Sequence, residues 1–197
     1  MDKKLFRKHC IEKLRQISPR AYYKKDKIVM KRLCDEIRRA HAHTIMLYIP
    51  LAIEVDIMPL IKRLKRQKKI LYVPFMQGES FRLVQYKLPL ETREFGISEP
   101  RHSQPSKINR IDLAIIPVIG IDSAMKRIGF GRGMYDRFYE KEQTKIKKIV
   151  FVSRVLCRCS HKITDHYDIQ ADKMIAPEKI VVRKRERRFK VQQSSVD

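Results

Sequence analysis

DLAIIPVIGIDSAMKRIGFGRGMYDRFYEKEQTKIKKIVFVS (112–153) holds two apolar runs, DLAIIPV (112–118) and KIVFVS (148–153), with a glycine-rich turn and a helix-like segment from about Met134 to Lys141 between them. A short apolar run bounded by turn residues is the form of a strand buried on both faces. Strand, helix and strand in that order imply parallel pairing through a right-handed crossover. The same alternation appears upstream. TIMLYI (44–49) is closed by Pro50, then Ile57, Leu60, Ile61 and Leu64 recur at helical spacing, and KILYVP (69–74) and FRLVQY (81–86) follow as strands. Before them, Phe6, Cys10, Leu14 and Ile17 predict a first amphipathic helix, and Ile28, Leu33 and Ile37 a second across 24–40. The polar stretch holding GISEP (96–100) and SQPSK (103–107) reads as a long loop. The expected fold is α/β, a single layered domain (1–182) with a mainly parallel central sheet flanked by helices, followed by a basic C-terminal tail (183–197).

With 197 residues, 43% of them hydrophobic, the chain is long enough for one well-buried core and too apolar for intrinsic disorder. The most apolar stretch, Thr44 to Ile53, is broken by Pro50 and too short to span a membrane. Charges occupy the positions where a signal peptide needs its apolar region, so a cytoplasmic location and no membrane partner are expected. The cysteines, Cys10, Cys34, Cys157 and Cys159, form neither a CxxC pair nor a disulfide framework, and Cys157, Cys159 and His161 lack a fourth metal ligand. Buried or idle thiols are expected. The formal charge is +23, with net charges of +9 in residues 1–43, +6 in KRLKRQKK (62–69) and +5 in RKRERRFK (183–190). Such a balance implies anionic partners. Because the runs are helix-like or terminal rather than interleaved with aromatics, solvated helix faces and a flexible tail are preferred over nucleic-acid binding.

The glycines carry the chemistry. Of only six in the chain, Gly129, Gly131 and Gly133 fall in RIGFGRGMYDRF (127–138). Alternating glycines between a strand and a helix let the backbone approach a ligand and turn successive N–H groups into a nest for phosphate oxygens. Arg127 and Arg132 add cations, and Asp136 could cap the helix or hold a Mg²⁺ shared with phosphates. A plain flexible glycine turn with an N-terminal acid is the competing reading. The pattern is neither a dinucleotide fingerprint nor a Walker loop, since the third glycine comes one residue early and no GK[ST] follows.

GFGRGMYDRF (129–138), preceded by DLAIIPVIGID, resembles the signature of the 5-formyltetrahydrofolate cyclo-ligase family, whose bacterial members read close to LGYGGGYYDRF. Ile53-Glu54-Val55-Asp56 is similar to the family's EVD segment, GISEP to its GIxEP loop, and DIQADKMIAP (168–177) to its closing HDxxxDxxI stretch, so the resemblance runs from residue 3 to about 182. It implies an enzyme, an ATP- and Mg²⁺-dependent ligase of cytoplasmic folate and one-carbon metabolism. Its substrate, 5-formyltetrahydrofolate, in some cases polyglutamylated, is converted to 5,10-methenyltetrahydrofolate with release of ADP and phosphate. The formyl oxygen takes the γ-phosphoryl group and N10 then closes the ring, so catalysis is largely positioning and neutralisation of phosphate charge. The resemblance further implies ATP binding by Lys3, Arg7 and the loop Arg127, Ile128, Gly129, Phe130, Gly131, Arg132, Gly133, Met134 and Tyr135. Arg132 and Asp136 would be catalytic, Asp136 and Asp168 would hold the metal, and Ile49, Glu54 and Met134 would contact the folate. A monomer is expected.

Each assignment has a bland competitor. Lys3 and Arg7 could be the wet face of the first helix, Glu54 a cap for the helix near Ile57, and Asp168 an ordinary loop acid. Tyr22, Tyr23 and Phe81 read as core or surface aromatics rather than folate platforms. The sequence departs from the family pattern at Phe130, Arg132 and Met134, at Val118 in place of glycine, and at Tyr167 in place of histidine. These changes bear more on the folate side than on the ATP side. Two other readings stay open: a nucleic-acid-binding or regulatory protein on a retained cyclo-ligase fold, and a different ATP-dependent kinase or ligase.

Overall fold

The computed structural model describes residues 2–92, 98–101, 104 and 107–184. Helix α1 (Lys3–Arg15) is started by Asp2, whose carboxylate accepts the Leu5 N–H at 2.7 Å, and ends with Lys13 and Arg15 against the negative end of the helix dipole. Helix α2 (Pro19–Arg39) opens on Pro19, where a missing N–H costs nothing. Strand β1 (Thr44–Met46) leads through a loop to α3 (Met58–Arg66), capped by Asp56, which accepts the Met58 N–H at 2.9 Å. Strands β2 (Ile70–Gln77) and β3 (Ser80–Gln85) form a hairpin around Gly78, whose φ of +57° suits a residue without Cβ. Then follow β4 (Leu90–Thr92), β5 (Ser98–Pro100), β6 (Leu113–Pro117), β7 (Gly120–Ile121), β8 (Arg127–Ile128), α4 (Met134–Glu142), β9 (Ile149–Val152), β10 (Lys173–Ile175) and β11 (Ile180–Val182).

The central sheet has the order β11-β10-β9-β6-β1-β2-β3. Its four inner pairings are parallel, and only the edge strands β11 and β3 are antiparallel. This is the mainly parallel layered α/β fold that the alternation predicted. Helices α2 and α3 cover one face, packing Val29, Leu33, Ile37, Leu60, Ile61 and Leu64 on Ile45, Leu113, Ile115 and Val150. Helix α4 lies with Phe138 among the residues of the opposite face, with Met46, Ala114, Ile116 and Phe151. Helix α1 does not cover a sheet face. Its buried side, Phe6, Cys10 and Leu14, packs on Ile119, Ile128 and Cys157, next to the β7/β8 hairpin.

Several expectations need correcting. The stretch read as a long loop contains β5, which pairs with β4, and the side chain of Glu99 fastens it to the sheet by accepting the Met76 N–H at 2.6 Å. Gly96 and Ile97 of GISEP, and Ser103, Pro105 and Ser106 of SQPSK, lie outside the described residues. Strands β7, β8, β10 and β11 are two or three residues long, too short to show a period. The 44–49 run keeps ladder geometry only to Met46. The thiol reading changes as well: Cys10 and Cys157 are joined as a disulfide with a Cα–Cα distance of 5.8 Å, while Cys34 and Cys159 are free. Sequence separation hid this pair, which the docking of α1 brings together. Alkylation of the denatured protein without reductant is expected to label two cysteines and, after reduction, all four; four labelled thiols without reductant would show the pair open. Of the tail beginning at residue 183, only Arg183 and Lys184 are described, and Arg183 bonds to Asp172 at 2.9 Å and to Gln170 at 2.5 Å.

Candidate active site

Beyond the ends of β1 and β6, the segments after β1 and around β8, with α4 and the start of α1, enclose two adjoining cavities. This is the carboxyl end of the parallel strands, where open α/β sheets bind ligands. One cavity, about 290 Å³, is mainly apolar and lined by residues including Tyr48, Ile49, Glu54, Met76, Phe81 and Met134. The other, about 580 Å³, is polar and lined by residues including Lys3, Arg7, Gly131, Asp136, His166 and Asp168. Arg127, Arg132 and Gly133 belong to both walls. One glycine-rich loop therefore serves two chemically different compartments.

The polar compartment is assembled from distant parts of the chain. Arg7 Nε donates to Gly129 O at 2.8 Å, tying α1 to the loop. Lys3 Nζ bonds to Asp168 at 2.5 Å and to Asp165 at 3.2 Å. Burial opposes the charge on Lys3, but these two carboxylates outweigh it and raise the ammonium pKa above its ordinary value. Lys3 and Arg7 are thus more than a solvated helix face. Asp136 does not cap α4. Its Oδ1 accepts the Ile169 N–H at 3.2 Å, and Oδ2 lies 3.7 Å from Arg127, outside hydrogen-bonding distance. Asp168 is buried and accepts the Asp165 N–H at 2.7 Å, so it organises its own loop.

The glycines act in different ways. Gly131 and Gly133 take φ of +100° and +66°, which favours glycine. At Gly129 the need is space: a Cβ there would stand 2.5 Å from the Arg127 guanidinium. Arg127 is 8% exposed and lies over the Tyr135 ring at 4.7 Å. Arg137 reaches back to the Arg132 carbonyl at 2.7 Å and to the Glu79 carbonyl at 2.8 Å, fixing the loop against the β2/β3 turn.

In the apolar compartment, Glu54 is the only carboxylate in the wall among the described residues. Burial pushes its carboxyl up to about 7, against the Leu51 N–H, Arg127 and Arg154, which favour the charged form. It does not cap α3, a role Asp56 fills. Its oxygen accepts the Leu51 N–H at 3.0 Å. Tyr135 is half-buried here, with its hydroxyl inside the protein, and desolvation followed by the nearby Glu54 holds that hydroxyl far above the usual tyrosine range. Phe81 forms another wall, edge-on to Tyr135 at 5.0 Å and stacked on Phe138 at 4.5 Å.

Most of the candidate site residues converge, but not in the expected partition. Phe130, Met134 and Tyr135 line the apolar cavity rather than the polar one, and Ile128 lines neither, being buried in the cluster beneath α1. Sequence reading missed the walls made by Tyr48, Leu51, Pro74, Met76 and Ser98, which carry no motif of their own. It placed Phe81 among core or surface aromatics. It also missed Arg154, whose guanidinium makes two 2.8 Å bonds to the buried Asp26 and a third to the Ala52 carbonyl, with Tyr22 stacked at 3.9 Å. Asp26 in turn accepts the Asp56 N–H at 3.1 Å, so both ends of the segment bearing Glu54 are held. No spacing signal links residues 26 and 154.

The model of the 5-formyltetrahydrofolate cyclo-ligase family matches residues 1–177. The 5-formyltetrahydrofolate cyclo-ligase of Haemophilus influenzae is 26% identical over 140 residues, covering 68% of this chain and 75% of its own. That of Mycoplasma pneumoniae is 26% identical over 183 residues, 90% of this chain and the whole of the relative. The solved structure of Aquifex aeolicus 5,10-methenyltetrahydrofolate synthetase superposes with a TM-score of 0.80 at 24% identity, covering 98% of this chain and 99% of that one. At that identity the superposition establishes the fold, while the match over most of the length establishes kinship: the chain belongs to the 5-formyltetrahydrofolate cyclo-ligase family.

Proposed function

We propose that this chain converts 5-formyltetrahydrofolate to 5,10-methenyltetrahydrofolate with consumption of ATP. The observation that carries this reading is the shared wall of Arg127, Arg132 and Gly133 between an apolar cavity holding the Glu54 carboxylate and a cation-rich cavity at a glycine loop. A flat pterin suits the first, with Glu54 accepting from its N–H groups and Met134 and Phe81 against its ring. Methionine in place of the usual tyrosine still offers a polarisable packing surface. A triphosphate suits the second, facing Lys3, Arg7, Arg132 and the loop N–H groups.

The reaction then occurs across the shared wall. The formyl oxygen on N5 attacks the γ-phosphorus and the bond to the β,γ-bridging oxygen breaks, releasing ADP. N10 adds to the activated formyl carbon, the C–O bond breaks with loss of phosphate, and the N10 proton is released as the ring closes. Arg127 and Arg132, flanking both cavities, would neutralise the charge of the transferring group. A Mg²⁺ carried by phosphates needs only one or two protein carboxylates. Asp136 and Asp168, both facing the polar cavity, fit that role, Asp136 with an oxygen outside hydrogen-bonding range of Arg127. When bound, the ion would screen the phosphate charge.

Purified protein is expected to produce the near-ultraviolet absorbance of the methenyl product only with ATP, Mg²⁺ and 5-formyltetrahydrofolate together. Absence of product at saturating ATP and folate would overturn the proposal. Asp136→Asn is expected to lower turnover roughly a thousandfold, as loss of several kcal/mol of metal-assisted charge stabilisation requires. Unchanged rate and unchanged Mg²⁺ dependence would remove Asp136 from that role.

A further inference from the structure

Helices α2 and α3 lie on the sheet face away from α4, and neither contributes a residue to either cavity of the candidate active site. Their charges are sorted by side. On α2, Asp26 is buried against Arg154, Glu36 is buried between Lys148 at 2.5 Å and Lys173 at 2.7 Å, and Asp35 is paired with Arg38. Helix α3 has no acidic residue. Outward, α2 exposes Arg20, Lys24, Lys27, Lys31, Arg38 and Arg39, and α3 exposes Lys62, Arg63, Lys65 and Arg66. Asp26 and Glu36 are thus spent on internal ion pairs, and the one remaining carboxylate of the two helices, Asp35, is half-exposed and held by Arg38.

The two helices present these charges together. Cys34, Ile37, Arg38 and His41 from α2 and its end line one groove of about 450 Å³ with Arg63 and Lys69 from α3 and its end. Arg63 reaches to 3.8 Å from the Cys34 sulfur across it. Arg38 of α2 and Arg63 and Lys69 of the 62–69 run therefore meet at one groove, and the exposed cations of both helices flank it on the same sheet face.

We propose that this surface binds the phosphodiester backbone of a nucleic-acid duplex, independently of the cyclo-ligase reaction. Closely spaced phosphates release condensed counterions when a cationic face replaces them, so affinity accrues without base contacts. The composition favours a duplex over a single strand. Single-strand binders need aromatic platforms for stacked bases, and on these two helices Tyr23 is the one highly exposed aromatic. It also disfavours a lipid surface. The apolar sides of both helices are used on the sheet, leaving Ile28 as the exposed large aliphatic of the pair and little to insert among acyl chains.

The test is fluorescence anisotropy of the full-length protein with short mixed-sequence DNA and RNA duplexes across a salt titration. The comparison protein carries Lys62→Gln, Arg63→Gln and Arg66→Gln. The parent is expected to bind at physiological salt with a steep log–log slope. The triple variant should bind about tenfold or more weakly, its slope shallower by about 2–3 if each cation meets one phosphate, with folate turnover unchanged. The DNA and RNA arms distinguish the source of the backbone. The proposal is overturned by no duplex binding at physiological salt, by parental affinity and slope in the triple variant, or by tighter binding to a matched single strand. Tighter binding to phosphatidylserine vesicles than to either duplex would overturn it too, as would binding lost on deleting 185–197 while the triple variant binds like the parent.

Discussion

Glu54→Gln is expected to weaken folate binding and at the same time to stabilise the folded protein above neutral pH. The two effects have one cause. Burial raises the Glu54 carboxyl from 4.5 to about 7, so ionising it in the folded state is costly. Unfolding relieves that cost. Below the unfolded value both states hold the proton, and Glu54 makes no difference to stability. Between pH 4.5 and about 7 the unfolded chain has released a proton that the native state retains, so stability falls as pH rises. Above that window the full penalty applies, at most about 3 kcal/mol for a shift of this size. Urea unfolding at a series of pH values should therefore show parent and variant alike near pH 4, with the variant gaining by up to about 3 kcal/mol near pH 8. Glutamine keeps an oxygen for the Leu51 N–H, so the comparison isolates the charge.

Function should move the other way. A carboxylate accepting pterin N–H groups makes charge-assisted hydrogen bonds worth about 1.5–3 kcal/mol, so the variant should lose roughly ten- to hundredfold in kcat/KM for folate. In the parent, folate affinity should rise with pH through about 7 as the carboxylate forms; in the variant it should be flat. A stability difference independent of pH would mean that Glu54 is not ionised in a buried site, and an unchanged folate KM would separate it from the substrate.

Part of this fold and site is legible in the sequence. The inner strands announced themselves because a strand buried on both faces must be apolar throughout, as Leu113–Pro117 is. Gly129, Gly131 and Gly133 marked the loop because so few glycines occur elsewhere. What stayed hidden depends on pairs of residues far apart in the chain. Arg154 and Asp26 are 128 residues apart, and Lys3 and Asp168 are 165 apart. Either partner alone reads as surface charge. The same blindness affected the charge balance of α2, where Asp26 and Glu36 count as neutralising in composition yet face inward. The walls of the apolar cavity were missed for a different reason: Tyr48, Met76 and Phe81 belong to core-like runs, and only the shape of the fold separates a cavity wall from a core.

Arg127→Met is expected to lower turnover as severely as Asp136→Asn, because this side chain belongs to both compartments. Its guanidinium flanks the polar cavity beside Asp136, stacks over Tyr135, and draws the Glu54 carboxyl toward ionisation. Loss of a cation that stabilises a transferring phosphoryl group costs about 10³–10⁵ in turnover in other phosphoryl-transfer enzymes, and a loss at the lower end is expected here. A second consequence distinguishes this role from mere misfolding. Without Arg127, only the Leu51 N–H and Arg154 are left to offset the burial of Glu54, so the pH midpoint for folate binding should move above 7. Gly129→Ala approaches the same point from the backbone, since its Cβ would stand 2.5 Å from the guanidinium and the side chain must swing away. That variant keeps the charge but misplaces it. It should show a smaller loss of turnover with the same direction of pH shift, measurable by folate binding between pH 6 and 9. A loss of turnover in both variants with no movement of the pH midpoint would uncouple Arg127 from Glu54 and confine it to the phosphate side.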